Sequence, residues 1–209
     1  FGSSPVHVVV PHAVGAAASV TPLADRVPGR VVMLNRLAPG KRVDHAIRAF
    51  TSVTAAIPGA RLDIYGDGPL RAELDALIGE LGLRDVVALR GHVAEASDQL
   101  DDAALLLLTT AFEGQGLVVV EALSHGCPVI SYDVGYGPHD MLSGGGGLLV
   151  PSGDVAALAA AITRVLADAA LREQLGAEAV AAAHRMDVSA SMTALAGAVA
   201  RALEGPARR

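Results

Sequence analysis

The segment from residue 103 to residue 133 constrains the fold of this chain more than any other. An apolar run at 103–108 leads into a loop that contains Glu113 and two glycines. A second apolar run follows, and a glycine and a proline separate it from a third run at 129–133. The short runs predict buried strands, and the longer run between them predicts a helix. The segment therefore predicts a strand–loop–helix–strand unit with both strands in one parallel sheet.

The rest of the chain repeats this alternation. We predict strands at residues 6–10, 31–35, 61–65, 86–89 and 148–150, and helices at residues 43–56, 70–81 and 154–166. The alanine-rich stretch 168–203 predicts helices with breaks at Gly176 and at 186–187. Repeated strand–helix units favour an α/β fold with a doubly wound, Rossmann-like parallel sheet and alanine-rich C-terminal helices. We place this domain at 30–204, between an N-terminal strand and linker at 1–29 and a tail at 205–209.

Charged and glycine-rich loops follow the predicted strands, at the edge where doubly wound sheets bind ligands. Arg36 and Lys41 share one such loop, and two cations there are candidates for holding a diphosphate. A solvated basic loop is the alternative interpretation of the same pair. Gly114 and Gly116 precede a helix whose first N–H groups have no intrahelical partner, which favours an anion at that helix end.

Glu121 lies inside an otherwise apolar helix, with valine, alanine and leucine as its neighbours in sequence. A carboxylate in such a place needs a partner or a ligand. Glu121 is therefore a candidate for binding a ligand. The alternative is a glutamate in the first turns that offsets the helix dipole.

Glu113 and Glu121 have seven residues between them in E-G-Q-G-L-V-V-V-E. This pattern resembles the paired-glutamate signature of retaining GT-B glycosyltransferases of the large family-four group. Together with the later segment Y-D-V-G-Y-G-P, it is similar to the poly(glycerol-phosphate) α-glucosyltransferases and related teichoic-acid glycosyltransferases. Most members of the wider family have Phe where this chain has Gln115. The resemblance implies that the chain is the C-terminal, donor-binding half of a GT-B fold.

The same resemblance implies a role for each residue of the site. Arg36 and Lys41, in N-R-L-A-P-G-K, match the Arg and Lys that hold the donor phosphates, and Asn35 stands where the family usually has Gly. Glu113 matches the glutamate that contacts the sugar hydroxyls, and Arg36, Lys41 and Glu113 would be the catalytic residues. Glu121 matches the glutamate that binds ribose. The donor-binding residues would be Gly66, Gly68, His92, Val93, Gly114, Gln115, Gly116, Leu117 and Glu121.

Some of these assignments have a second explanation. The G-D-G-P turn that contains Gly66 and Gly68 has the composition of a simple β–α turn. His92, whose backbone with that of Val93 would face the nucleobase, is equally explained as a solvated loop histidine. The glycine-rich segment 133–147 is either a mobile donor lid or a set of tight turns fixed by packing.

Composition and absent motifs limit the partners. The formal charge of -6 argues against a nucleic-acid-binding surface. Cys127, the single cysteine, fits a reducing compartment and is expected to be a small buried hydrophobe. No apolar run reaches the ~20 residues of a membrane helix, so peripheral membrane association would require a preceding half of the protein. There is no Walker A motif, no G-x-G-x-x-G, no D-x-D and no ligand-spaced set of histidines, so we expect no catalytic metal.

We therefore expect a cytoplasmic, retaining, metal-independent hexosyltransferase domain. It would take a hexose from a UDP-sugar, or another nucleoside-diphosphate sugar, to a hydroxyl acceptor such as a cell-envelope polymer, with no cofactor besides this substrate. An acceptor-binding domain is expected before Phe1, and the fragment alone is expected to be inactive. The alternatives are a non-catalytic nucleotide-sugar-binding module and, less favoured, a dinucleotide-binding oxidoreductase domain.

Overall fold

A computed structural model describes residues 20–186 and 188–204. Six strands form one sheet: β1 Arg30–Leu34, β2 Arg61–Tyr65, β3 Val87–Gly91, β4 Leu105–Leu108, β5 Val129–Asp133 and β6 Gly147–Pro151. Their order is β3-β2-β1-β4-β5-β6, and every neighbouring pair is parallel. The predicted α/β class with a Rossmann-like parallel sheet is confirmed. The predicted strand at 6–10 and the tail at 205–209 lie outside the described residues.

The strand order places a topological switch point in the middle of the sheet. The chain runs outward from β1 to β3 and then returns to β4, which pairs with β1 through Val31 and Leu105. The connections that leave β1 and β4 therefore diverge to opposite faces of the sheet. In open α/β sheets the crevice between two such connections is where ligands bind.

Seven helices are described: α1 Val43–Ala56, α2 Arg71–Glu80, α3 Leu117–Ser124, α4 Pro138–Leu142, α5 Val155–Ala167, α6 Ala169–His184 and α7 Val188–Glu204. Helices α1, α2 and α5 pack in one apolar cluster, and α3, α4 and α6 pack in another. Strand β4 is apolar throughout and buried because helices cover both faces of the sheet. Val43, Ile47, Phe50 and Val53 form a buried apolar face on α1, and Asp154 caps α5 by accepting a hydrogen bond from the Ala157 N–H.

The helix break predicted at Gly176 is wrong, because α6 continues through this residue. A Cβ at position 176 would lie 2.4 Å from Leu23 Cδ1 and 3.2 Å from the Gly126 carbonyl oxygen. The glycine allows α6 to approach two other segments closely, and the sequence signal was mistaken for a helix end.

The predicted loop at 133–147 contains the short helix α4, which buries Met141 and Leu142. Its last residue, Gly147, already belongs to β6 and pairs with Val129. The irregular parts of the segment are the turn at 134–137, which contains the exposed Tyr136, and the glycine turn at 143–146.

The described part of the predicted linker, residues 20–29, packs on the domain. Arg26 is buried, and its guanidinium donates to the carbonyl oxygens of Leu100 and Ala103 at 3.0 and 3.1 Å. Leu23 packs on Gly176 as described above. These contacts make residues 20–29 part of the folded domain, so the linker interpretation is wrong for them.

Cys127 is fully buried, as expected, and loss of solvent raises the pKa of its thiol to about 12. We expect the native chain to react with a disulfide reagent such as dithionitrobenzoate far more slowly at about pH 8 than a free thiol does, since the thiolate is the reacting form. The same chain unfolded in urea, with one accessible thiol, is the control. Rapid stoichiometric labelling of the folded chain would contradict this burial.

Candidate active site

A cleft of about 430 Å³ opens at the carboxyl ends of the strands beside the switch point. Its volume falls within the roughly 300–1,000 Å³ typical of small-molecule sites. The residues that line it come from four connections: Leu34, Asn35, Arg36, Tyr65, Gly66, Asp67, His92, Val93, Ala96, Val118 and Glu121. Five residues predicted for the site, Arg36, Gly66, His92, Val93 and Glu121, therefore meet in one cleft.

The cleft carries a cation on one side and a carboxylate on the other. Arg36 follows β1 and is exposed, and Glu121 reaches the cleft from α3 and is half-buried. Within the described part of the chain, neither side chain has a hydrogen-bond or ion-pair partner. Glu121 is the fifth residue of α3, and the first turn of that helix has no acidic residue. The dipole interpretation is therefore disfavoured, and the carboxylate is available to a ligand.

Lys41 and Glu113 form an ion pair with 2.6 Å between Lys41 Nζ and Glu113 Oε2. Two loops bring them together: the Ala111 N–H donates to the Gly40 carbonyl at 2.8 Å, and the Thr109 hydroxyl donates to the Lys41 carbonyl at 2.8 Å. Both residues lie outside the lining of the cleft, although they follow the two strands at the switch point. Lys41 and Glu113, two of the three predicted catalytic residues, thus neutralise each other's charge. The sequence did not indicate this pairing.

The loop from Gly114 to Leu117 leads into the N-terminus of α3. Gly116 has a φ of 76° in the left-handed region, which glycine adopts without steric cost. The turn that contains Gly137 packs on this loop, since a Cβ at 137 would lie 2.7 Å from the Gly114 oxygen and 2.8 Å from the Gln115 oxygen. The E-G-Q-G and Y-G-P segments, which carried the resemblance, are therefore in direct contact.

The two glycines of the G-D-G-P turn differ in position. A Cβ on Gly66 would lie 1.9 Å from the Asn35 oxygen, and one on Gly68 would lie 2.3 Å from the Leu37 oxygen. Both glycines therefore let the turn pack on the β1 connection. Gly66 also lines the cleft, whereas Gly68 does not, so the simple-turn interpretation accounts for Gly68.

His92 is exposed, as a solvated loop histidine would be, and it also lines the cleft, as a residue next to the nucleobase would. Its position is thus compatible with both interpretations of the sequence. Six lining residues were not predicted for the site: Leu34, Asn35, Tyr65, Asp67, Ala96 and Val118. Asn35 and Tyr65 are the last residues of the strands predicted at 31–35 and 61–65, so inspection of the last side chain of each predicted strand would have found them. Val118 resembled any other apolar residue of a buried helix.

Neither a metal site nor a membrane-spanning helix is present among the described residues, 20–186 and 188–204. No group of three or more His, Cys, Asp or Glu side chains there is placed to hold a metal ion. None of the helices in the same ranges has the length and apolar character needed to cross a membrane.

Comparisons with known proteins agree with the geometry. A family model described as glycosyl transferases group 1 matches residues 23–181. An exopolysaccharide phosphotransferase of Streptomyces coelicolor is 42% identical over 152 residues, 71% of this chain and 16% of that protein. The poly(glycerol-phosphate) alpha-glucosyltransferase of Bacillus subtilis is 33% identical over 151 residues, 72% of this chain and 22% of that protein.

A solved structure shares the fold. The pneumococcal O-GlcNAc transferase GtfA, crystallised with UDP and GlcNAc, superposes with a TM-score of 0.78 at 28% identity, covering 90% of this chain and 39% of that one. The chain thus spans less than half the length of each of these three proteins.

Proposed function

Because this chain belongs to the glycosyl transferases group 1 family, we propose that it binds the donor nucleotide sugar for a retaining GT-B hexosyltransferase. The family and the Rossmann-like half of a GT-B fold agree with the resemblance around Glu113 and Glu121. The observation that supports the donor-binding role is the cleft at the switch point, where Arg36 and Glu121 converge without partners in the described chain. The donor would be a UDP-hexose or another nucleoside-diphosphate sugar.

The placement of the side chains supports one orientation of the donor. The base would lie on the backbone of His92 and Val93 after β3, and the ribose hydroxyls would donate to the Glu121 carboxylate. Glu121 lies one turn into α3, so the diphosphate would lie towards the helix start, where the first N–H groups have no intrahelical partner and Arg36 supplies a positive charge. The hexose would then lie towards Glu113.

The chemistry follows from this placement. The bond between the anomeric carbon and the diphosphate oxygen breaks, and an acceptor hydroxyl attacks the same face of the sugar. Its proton passes to the departing phosphate. Arg36 and Lys41 would stabilise the negative charge that collects on the diphosphate, as preorganised cations do without a metal ion. Glu113 would hold Lys41 in place while accepting a hydrogen bond from the hexose.

The acceptor and the second half of the site are also part of the proposal. The chain spans 22% of its Bacillus relative, a poly(glycerol-phosphate) alpha-glucosyltransferase. We propose a polyhydroxyl, cell-envelope acceptor held by a preceding domain, in a cytoplasmic enzyme in which Cys127 stays reduced. Full-length enzyme that glycosylates only lipids or small molecules would contradict this acceptor.

A nucleotide panel tests donor binding directly. We expect UDP to raise the melting temperature of the chain and to bind measurably in calorimetry, whereas NAD should do neither. GDP and ADP serve to identify the base preference. Preferential binding of NAD would instead support the dinucleotide-binding alternative.

The same assay should distinguish the roles of Glu121 and Glu113. Glu121→Gln should weaken UDP and UDP-sugar by a similar factor, about tenfold, because a charge-assisted hydrogen bond to ribose is lost from both ligands. Glu113→Gln should spare UDP and weaken only the sugar-bearing donor. It also frees Lys41, so its UDP affinity should not fall. The reverse pattern would exchange the roles of the two residues.

The Streptomyces relative favours a second candidate. It is an exopolysaccharide phosphotransferase, and this chain matches 16% of its length. The same cleft would then act as a nucleotide-sugar-binding module beside a separate phosphotransferase domain. The product of the full-length protein distinguishes the two: mass spectrometry should find a transferred hexose in the first case and a transferred sugar phosphate in the second.

A further inference from the structure

Asn35 has a buried amide at the floor of the cleft. It follows the last residue of β1, beside the switch point, and lines the cleft together with Arg36 and Glu121. Both polar atoms of its side chain, Nδ2 and Oδ1, are shielded from solvent and have no hydrogen-bond partner in the described chain. Asn35 is therefore the only residue with both a donor and an acceptor in this state among residues 20–186 and 188–204.

The main chain of Asn35 does not need this amide. Its N–H donates to the Tyr65 carbonyl at 3.0 Å, and Gly66 packs on its carbonyl oxygen. The backbone is thus held by β2 and by the following turn. A buried unpaired polar group costs roughly one to two orders of magnitude in the folding equilibrium constant. Unpaired groups in a folded protein call for an explanation, and ligand binding is one.

The hydrogen-bonding chemistry of an amide limits which chemical group of a ligand can pair with Asn35. Nδ2 donates and Oδ1 accepts, so a partner that satisfies both atoms must itself accept and donate. A phosphate oxygen only accepts, whereas a sugar hydroxyl does both. The neighbouring carboxylate of Glu121 only accepts, so it also favours hydroxyl groups in this part of the cleft.

We propose that the Asn35 amide binds a ribose hydroxyl of the donor nucleotide and, with Glu121, makes the site selective for ribonucleotides over deoxyribonucleotides. This inference rests on the proposed donor-binding function. It assigns a specificity role to the position where this chain has an amide rather than a glycine.

The test compares UDP with its 2′-deoxy and 3′-deoxy analogues by calorimetry. Wild-type chain should bind UDP about tenfold more tightly than at least one analogue, as expected when a paired polar group is lost from a buried site. Asn35→Ala should weaken UDP by a similar factor and bind that analogue as the wild type does. Gln174→Ala is the matched control, because Gln174 also carries an amide but is exposed on α6, outside the cleft, and already donates to Glu178 at 2.8 Å.

Thermal denaturation without ligand separates binding from folding. Since Asn35→Ala removes an unpaired amide, its melting temperature should equal or exceed that of the wild type, whereas a residue that only supports the fold would lower it. Equal affinity of Asn35→Ala and wild type for UDP would overturn the inference. So would an equal loss for UDP and both analogues, which would indicate a contact with the phosphates or the base. If wild-type chain binds no nucleoside diphosphate, the proposed function itself falls and this inference with it.

Discussion

Replacing Arg36 with alanine should weaken UDP binding by about 1.5–3 kcal/mol, the range for a hydrogen bond to a charged group. This corresponds to roughly a 10- to 150-fold rise in Kd. The reason is that Arg36 lines the cleft and has no partner in the described part of the chain, so its guanidinium gives up none of those contacts when it binds the diphosphate. Calorimetry with UDP measures the change, and turnover of the full-length enzyme should fall at least as far, because charge on the diphosphate increases in the transition state.

Arg61→Ala is the matched control for Arg36→Ala. Arg61 is also exposed, but it is the first residue of β2 and therefore lies at the amino ends of the strands, opposite the cleft. Its removal changes the net charge by the same amount and should leave the affinity for UDP nearly unchanged. Lys41→Ala should weaken UDP less than Arg36→Ala, because Lys41 must share its charge with Glu113. Unchanged affinity for UDP in both Arg36→Ala and Lys41→Ala would exclude this diphosphate site.

Replacing Asp63 with alanine should lower the free energy of unfolding by about 3–5 kcal/mol, the cost of leaving a buried charge without its partner. Asp63 is buried in β2 and accepts from Arg30 Nε at 3.0 Å and from Arg90 Nε at 2.7 Å. Arg30 is itself buried, and without Asp63 its main-chain position would keep the guanidinium inside the protein. Urea denaturation is the suitable measurement, since guanidinium salts would screen the charges.

Asp75→Ala is the control for Asp63→Ala. Asp75 also pairs with an arginine, Arg84, at 3.2 Å, and this partner lowers the pKa of the Asp75 carboxyl. Both side chains of the Asp75–Arg84 pair are exposed, so water replaces the lost contact and the urea midpoint should stay close to that of the wild type. Similar midpoints for the two variants would mean that Asp63 is less well shielded from water than the structure indicates.

A double variant tests whether charge or packing matters at the buried pair. Asp63→Leu combined with Arg30→Met replaces the pair by apolar side chains of comparable size. Apolar replacements of buried ion pairs are often neutral or stabilising. The double variant should therefore recover much of the stability lost in Asp63→Ala, although the exposed Arg90 and the buried Tyr65 each lose a hydrogen-bond partner. A double variant as unstable as the single one would show that the hydrogen bonds themselves are needed.

The sequence by itself determined the architecture. The bounds predicted for the helix at 43–56 and for the strands at 61–65 and 129–133 coincide with those of α1, β2 and β5. These elements are read from periodicity, caps and glycine–proline boundaries, which act over a few residues and which the tertiary structure here did not override. The motif around Glu113 and Glu121 also predicted the family, since the spacing of a loop and a helix is likewise a local property.

Only the tertiary structure decided how distant segments meet. The ion pair between Lys41 and Glu113 joins residues 72 positions apart. Gly176 resembles a helix break until Leu23 and Gly126 are seen against it, and the unpaired amide of Asn35 depends on the position of β2 and its turn. Such features arise from close packing of several segments at once, so no local pattern encodes them. Five residues that line the cleft could therefore be named from the sequence, whereas which charges pair with each other and which have no partner in the described chain followed from the fold.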